Sequence, residues 1–310
     1  MARATLAPPS RTGILARPEL EAPLRRPAPR GGLLWLGRFV RRKPLGAIGG
    51  TIVIVLLFVA ALAPLLAPYE YDVGAGIDRL QGPTISHPFG TDANGRDMLS
   101  RIIWGARVSI TVGFGAVGMS VLLAMAVGVL SAYFGGWADL LLQRIVDVWI
   151  SFPAVVLLVS LVAVIGPGLW SVTFALGVLL APGTSRVIRG SVIGMRNLPY
   201  MEAARCLGAG HARMIVRHVI PNVFAPVIVL ATVQLGTAIL AESTLSFLGY
   251  GVPPPFPAWG AMLSGTGRAF MLQSPWLSIW PGLAISAAVF GFNMLGDALR
   301  DELDPRLRGR

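Results

Sequence analysis

Pro199-Tyr-Met-Glu202-Ala203-Ala204-Arg-Cys206-Leu207-Gly208-Ala-Gly210-His211-Ala-Arg-Met-Ile-Val-Arg217-His218-Val-Ile-Pro221-Asn222 is a polar island between two apolar stretches. A proline suits the first turn of a helix, and Glu202 falls early enough to favour the positive end of the helix dipole. Ala203, Ala204 and Leu207 follow as a stripe of small and apolar side chains at helical spacing. Gly208 and Gly210 can end that helix, because glycine takes a left-handed cap at little cost. The spacing predicts a second short helix from His211 to Pro221, where the next apolar stretch begins. Two short helices at a right-angle bend are therefore expected. The Ala-Ala-xxx-Gly surface has little bulk, so another protein can approach its backbone closely.

The composition outside this island fixes the class. Apolar residues make up 54% and charged residues 13% of the chain, with a mean hydropathy of +0.68. Such values belong to a polytopic membrane protein. Residues 1–34 are rich in Pro, Arg and Ala without an apolar period, and are expected to be a disordered cytoplasmic segment. A basic flank and an uncharged run, Leu45 to Pro68, give the first span within residues 35–68, read as an uncleaved signal anchor. Residues 69–107 are polar and read as an external loop. The core, residues 108–300, then supplies five more spans. Val108 to Ala138 is the second. Val148 to Ser185, divided by Gly166-Pro167-Gly168, gives the third and fourth, with Pro153 expected to bend the third. Asn222 to about Leu245 is the fifth, and Trp276 to Gly296, with Pro281 inside it, the sixth. The island, taken as residues 197–221, lies between spans four and five, and residues 301–310 form a cytoplasmic tail.

With both termini inside, the inner segments hold 21 of the 26 Lys and Arg residues and the outer ones 5. The positive-inside rule is satisfied strongly. The net charge of +11 is thus a topology signal, and nucleic acid drops out as a partner. Lys43 is the only lysine and is followed by Pro44, so the chain cannot form a Walker A loop. ATP, if used, is hydrolysed elsewhere. The single cysteine, Cys206, leaves no intrachain disulfide. His87, His211 and His218 give no metal set: the first is outside, and the other two have no acidic ligand between them. No Ser-His-Asp order or pair of carboxylates suggests catalysis.

Three further motifs carry information. Asp92-Ala-Asn94-Gly95-Arg96-Asp97 has its glycine fourth and Ile103 twelfth, which excludes an EF-hand loop. It reads as an Asx-type turn capping the helix that follows. Arg144 and Asp147 stand one helical turn apart just inside span three and read as an anchoring or packing pair. Glu242 lies near the outer end of span five with Ser243, Thr244 and Ser246 around it and no arginine within two turns. An intramembrane carboxylate is a functional hypothesis by default: it bonds a neighbouring helix or lines a substrate path.

Glu202-Ala203-Ala204, Gly208 and Pro221 together resemble the EAA loop of ABC-importer permeases, although His218 stands where the family pattern has isoleucine. Phe89-Gly-Thr with Asp92 to Arg101, and Glu242 to Gly251 continued by Pro254 to Gly260, are similar to stretches of dipeptide and oligopeptide permeases. The three motifs occur in the family's order over residues 35–305. The chain is thereby identified as resembling the C-type permease subunit of peptide and nickel ABC importers. That resemblance implies an all-α membrane protein of six spans, with the type I importer fold and a cytoplasmic coupling helix formed by Glu202, Ala203, Ala204, Leu207 and Gly208. It also implies a homologous B-type permease, two ATP-binding subunits and an extracytoplasmic solute-binding protein as partners. The expected location is the cytoplasmic (inner) membrane, in contact with lipid. Glu242 becomes a candidate for the path or gate, the cargo is expected to be a peptide, and no cofactor or metal is implied. A nickel chelate or other small solute is the alternative cargo. A self-contained secondary transporter would show inverted repeats and charges at mid-membrane, and neither is clear in the sequence.

Overall fold

The computed structural model describes residues 40–303 except Arg42; the expected N-terminal tail and the last residues of the C-terminal one lie outside them. Among the described residues, five helices are long and apolar enough to cross a membrane. Helix α1 (Pro44–Ala61) is followed by a single turn, α2 (Ala63–Leu66). Helix α3 (Met98–Phe134) is 37 residues long. It ends at Gly135, whose φ of +66° is the left-handed geometry that glycine tolerates best. Helices α4 (Gly136–Ser151) and α5 (Ala154–Ile165) follow, bent by 94° at Phe152-Pro153. Then come α6 (Leu169–Met195), α7 (Pro199–Cys206) and α8 (His211–Met214). A π turn at Ile215–Val219 joins α8 to α9 (Ile220–Phe247). Two short helices, α10 (Trp259–Leu263) and α11 (Thr266–Phe270), precede the last span, α12 (Trp276–Leu303). Among the described residues there is no strand, only isolated bridges Gly74 to Arg96 and Thr91 to Asp97.

The all-α, multi-span expectation holds, and the span count reaches six when α4 and α5 are taken as one bent crossing. Pro153 accounts for the break, since the residue before a proline is pushed from helical to extended backbone, and Phe152 is extended. Two other expectations are corrected. Helix α3 begins at Met98, ten residues ahead of the uncharged run. Asp97 caps it by accepting from Ser100 N at 2.7 Å. Arg101 is accommodated in the first turn by donating to Tyr71 O at 2.9 Å and lying 3.7 Å from Asp92. The segment from His211 is not a separate short helix: it runs without interruption into span five. Pro221 lacks an N–H and crowds the preceding turn, and a π turn relieves that by widening the ladder just before it.

The spans pack through small residues and a few buried large ones. At Gly49 of α1, an added Cβ would stand 2.7 Å from Met294 Cβ and 2.8 Å from Gly291 O of α12. The glycine pair thus lets two backbones touch. Lys43 closes the same contact by an ion pair of 2.5 Å to Asp301. Helices α3, α9 and α12 share the main core around Met98, Val117, Ile239 and Phe292. Trp259 of α10 is buried against Gly105 and donates its indole N–H to Ile102 O at 3.0 Å. The loops 69–97 and 249–275 therefore gather at one end of the bundle, and α7 sits at the other.

Candidate functional site

Helix α7 is eight residues long, too short to hold itself in water, so its contacts decide its position. Leu198 caps it in an extended conformation, Pro199 opens it and Glu202 falls in its first turn. It stops where Gly208 turns left-handed at φ +79°, with Gly208 N–H donating to Arg205 O at 2.9 Å and Ala209 N–H to Ala204 O at 3.0 Å. Met201, a residue the sequence pattern did not single out, is its anchor. That side chain is fully buried in a cluster with Ile188, Val192, Met214, Val219 and Val223, drawn from α6, α8, the π turn and α9.

Polar contacts fix the same end to α3. Arg196 donates to Ala132 O at 3.1 Å, Arg205 reaches Arg196 O at 3.2 Å, and the Tyr133 hydroxyl meets His211 Nδ1 at 3.0 Å. With Met201 turned inward, Glu202, Ala203, Cys206, Leu207 and Gly208 face out, and Leu207 is 88% exposed. Ala204 is half-buried against the body, so the expected stripe divides: Ala203 and Leu207 share the open side, one turn apart. A Cβ on Gly208 would meet nothing within 4 Å in this chain. The exposed side of α7 is made of Ala203 and Leu207 with Tyr200 next to them, and the Glu202 carboxylate and Arg205 are exposed beside it.

Glu242 lies far from this surface, toward the other end of α9. It is completely buried and accepts from Ser246 Oγ at 2.7 Å, Ser109 Oγ at 3.3 Å and Ser243 Oγ at 3.4 Å. Ser109 belongs to α3, so the carboxylate joins two spans. Of the two roles left open by the sequence, the structure displays the bond to a neighbouring helix. Asp147 meets Arg144 at 3.8 Å, but its closer partner is Arg186 of α6, at 2.6 Å. At the loop end, Asp92 accepts from the backbone N–H of Asn94 at 2.8 Å and of Arg96 at 2.9 Å, the turn expected there. His87 lies 3.0 Å from Asp97. Among the described residues no group of three or more His, Cys, Asp or Glu side chains could hold a metal.

A bundle of membrane-crossing helices, with a short exposed helix at one end, defines a multi-pass membrane protein. The chain belongs to the binding-protein-dependent transport system inner membrane components, a family that matches residues 121–309; residues 35–83 match the N-terminal TM domain of oligopeptide transport permease C. It is 40% identical over 269 residues to the dipeptide transport system permease protein DppC of Alkalihalophilus pseudofirmus, covering 87% of this chain and 88% of that one. It is 38% identical over 272 residues to the glutathione transport system permease protein GsiD of Pectobacterium atrosepticum, covering 87% and 90%. A GsiD from Escherichia coli O157:H7 is 38% identical over 273 residues, covering 88% and 90%. The chain is accordingly a C-type permease subunit of the ABC-importer class, a multi-pass inner-membrane protein without catalytic activity of its own.

Proposed function

We propose that this chain forms half of the translocation path of an ATP-driven peptide importer. A homologous B-type permease supplies the other half, two cytoplasmic ATP-binding subunits supply the energy, and an extracytoplasmic solute-binding protein delivers the cargo. The peptide cargo is supported by the relatives, whose names specify dipeptide and glutathione transport. The orientation, with both termini and α7 inside, is supported by the 21-to-5 division of Lys and Arg.

One observation carries the coupling role. Helix α7 is held on one side by Met201 and left bare on the other at Ala203, Leu207 and Gly208. A largely exposed leucine at the end of a short, well-anchored helix suits insertion into a cleft on a second protein. ATP binding moves that cleft, and α7 passes the motion to α6, α8 and α3, with which it is bonded or packed.

Gly208→Val is the test. A branched side chain at φ +79° costs on the order of 1–2 kcal/mol or more, while the spans and their flanking charges are untouched. Membrane insertion and expression are expected to be normal. Docking of the ATP-binding subunits weakens, or hydrolysis persists without uptake, and crosslinking from Cys206 to an ATP-binding subunit decreases. Undiminished dipeptide uptake at normal expression would remove α7 from the coupling role.

A further inference from the structure

Helix α4 is weakly packed for a segment of a membrane bundle. Val146 is its only buried residue. Trp137, Leu141, Ile145 and Val148 form an exposed stripe along one side. What holds the opposite side is charge. Asp139 receives Arg189 of α6 as a two-pronged pair, Nε at 2.7 Å and Nη2 at 2.6 Å, and also accepts from Ser131 of α3. Two turns on, Asp147 receives Arg186 at 2.6 Å, with Arg144 at 3.8 Å on its other oxygen. Gln143, between the two, donates to Ser131 at 3.0 Å.

The geometry of the two pairs is unequal. Asp139 and Asp147 are about 12 Å apart along α4, whereas Arg189 and Arg186 are about 4.5 Å apart along α6. The arginines must reach in diverging directions, and both pairs remain partly exposed. Their grip is specific in direction, since a guanidinium fork fixes a carboxylate in its plane. Helix α6 continues through Arg196 into Leu198, the cap of α7. On its far side α4 ends at the 94° bend into α5. A chain of stiff parts therefore leads from α7 through α6 and two ion pairs to a hinged segment that buries only Val146 against the rest of this chain.

We propose that Arg189–Asp139 and Arg186–Asp147 are positioning pairs that transmit the displacement of α7 to the bent α4–α5 segment, which moves about Phe152-Pro153 during the ATP cycle. The inference rests on the coupling role of α7, and its test separates the two. The readout is maleimide labelling of Val164→Cys, on an exposed residue near the end of α5. Labelling is quantified peptide by peptide by mass spectrometry in the purified complex with its ATP-binding subunits, with and without ATP and vanadate.

In the parent, nucleotide is expected to change the labelling rate at least threefold. Asp147→Arg or Arg186→Asp alone abolishes that response while the complex assembles and hydrolyses ATP; the double exchange restores it. Asp147→Asn and Arg186→Gln, milder changes, reduce the response without loss of assembly. A response that persists in the single variants, is absent from the parent, or fails to return in the double exchange overturns the proposal. So does a parallel loss of assembly, hydrolysis and labelling response, which marks a merely structural role. If Gly208→Val uncouples the complex while the single exchanges leave the response intact, the coupling role of α7 stands and only the relay through α4 fails.

Discussion

Replacing Met201 by alanine tests what positions the coupling helix. The side chain is fully buried in the cluster where α6, the π turn and α9 meet, and nothing else on α7 is buried. Truncating a buried methionine costs about 2–5 kcal/mol, of which about 2–3 is expected here because a site next to an exposed surface can collapse. An eight-residue helix has no reserve stability to absorb that loss. The equilibrium between α7 docked on the body and α7 released therefore moves roughly 30- to 150-fold toward release, since about 1.4 kcal/mol is a factor of ten. Hydrogen exchange reads it directly. The amides of Leu207, Gly208 and Ala209, which donate to Ala203 O, Arg205 O and Ala204 O, should exchange faster by that factor. Amides in the middle of α3 and α9 should not change. Protection at residues 207–209 equal to that of the parent would refute the claim that Met201 anchors the helix, and the explanation for its exposed face would have to be found elsewhere.

Glu242→Gln keeps the size of the carboxylate and one acceptor for Ser109 and Ser246, so the interhelical bond predicts normal assembly and normal uptake; a loss of uptake with assembly intact would instead favour a role in the path. Glu242→Leu strands those buried hydroxyls instead and should destabilise the purified subunit by about 1–3 kcal/mol, visible as a lower midpoint in thermal unfolding. Cysteines introduced at Thr84 and Ser264 should react with an impermeant thiol reagent added outside intact cells, while native Cys206, exposed in the structure, should not; labelling of Cys206 would invert the topology. Gly49→Val forces α1 away from Gly291 and Met294 and should lower stability by about 1–3 kcal/mol, and an unchanged melting profile would show that this contact is not close in the membrane.

The span pattern and the family resemblance were legible because they reside in hydropathy and in local motifs. The Asx-type turn opening at Asp92 and the bend at Pro153 were also readable, each being a local rule. What escaped has non-local causes. The early start of α3 was masked by Arg101 and Arg107: the first meets Tyr71 O thirty positions back in the chain, and the second lies over the Trp104 ring. Met201 looked like one apolar residue in a polar segment, and its burial depends on α6 and α9 arriving at the same place. Arg144 was the visible partner for Asp147 at helical spacing, whereas the closer one, Arg186, comes from another helix. The expected break at Pro221 failed because a shift of register within a helix leaves no mark in hydropathy. Ala204 was grouped with Ala203 by composition, and only the packing of α7 separates them.

The buried carboxylate and the Tyr133–His211 bond have a joint consequence for the shape of span five. They pin the same two helices together near opposite ends. At 1.5 Å per residue the stretch of α3 between Ser109 and Tyr133 measures about 36 Å, but the helical path from His211 to Glu242 measures about 46 Å. The reach of the side chains at the two pins takes up part of that difference, on the order of 10 Å, and a lean of one helix against the other can take up the rest. The π turn and Pro226 are the places where its ladder can yield. Span five is thus tied to α3 near both ends, and one of the ties lies beside α7.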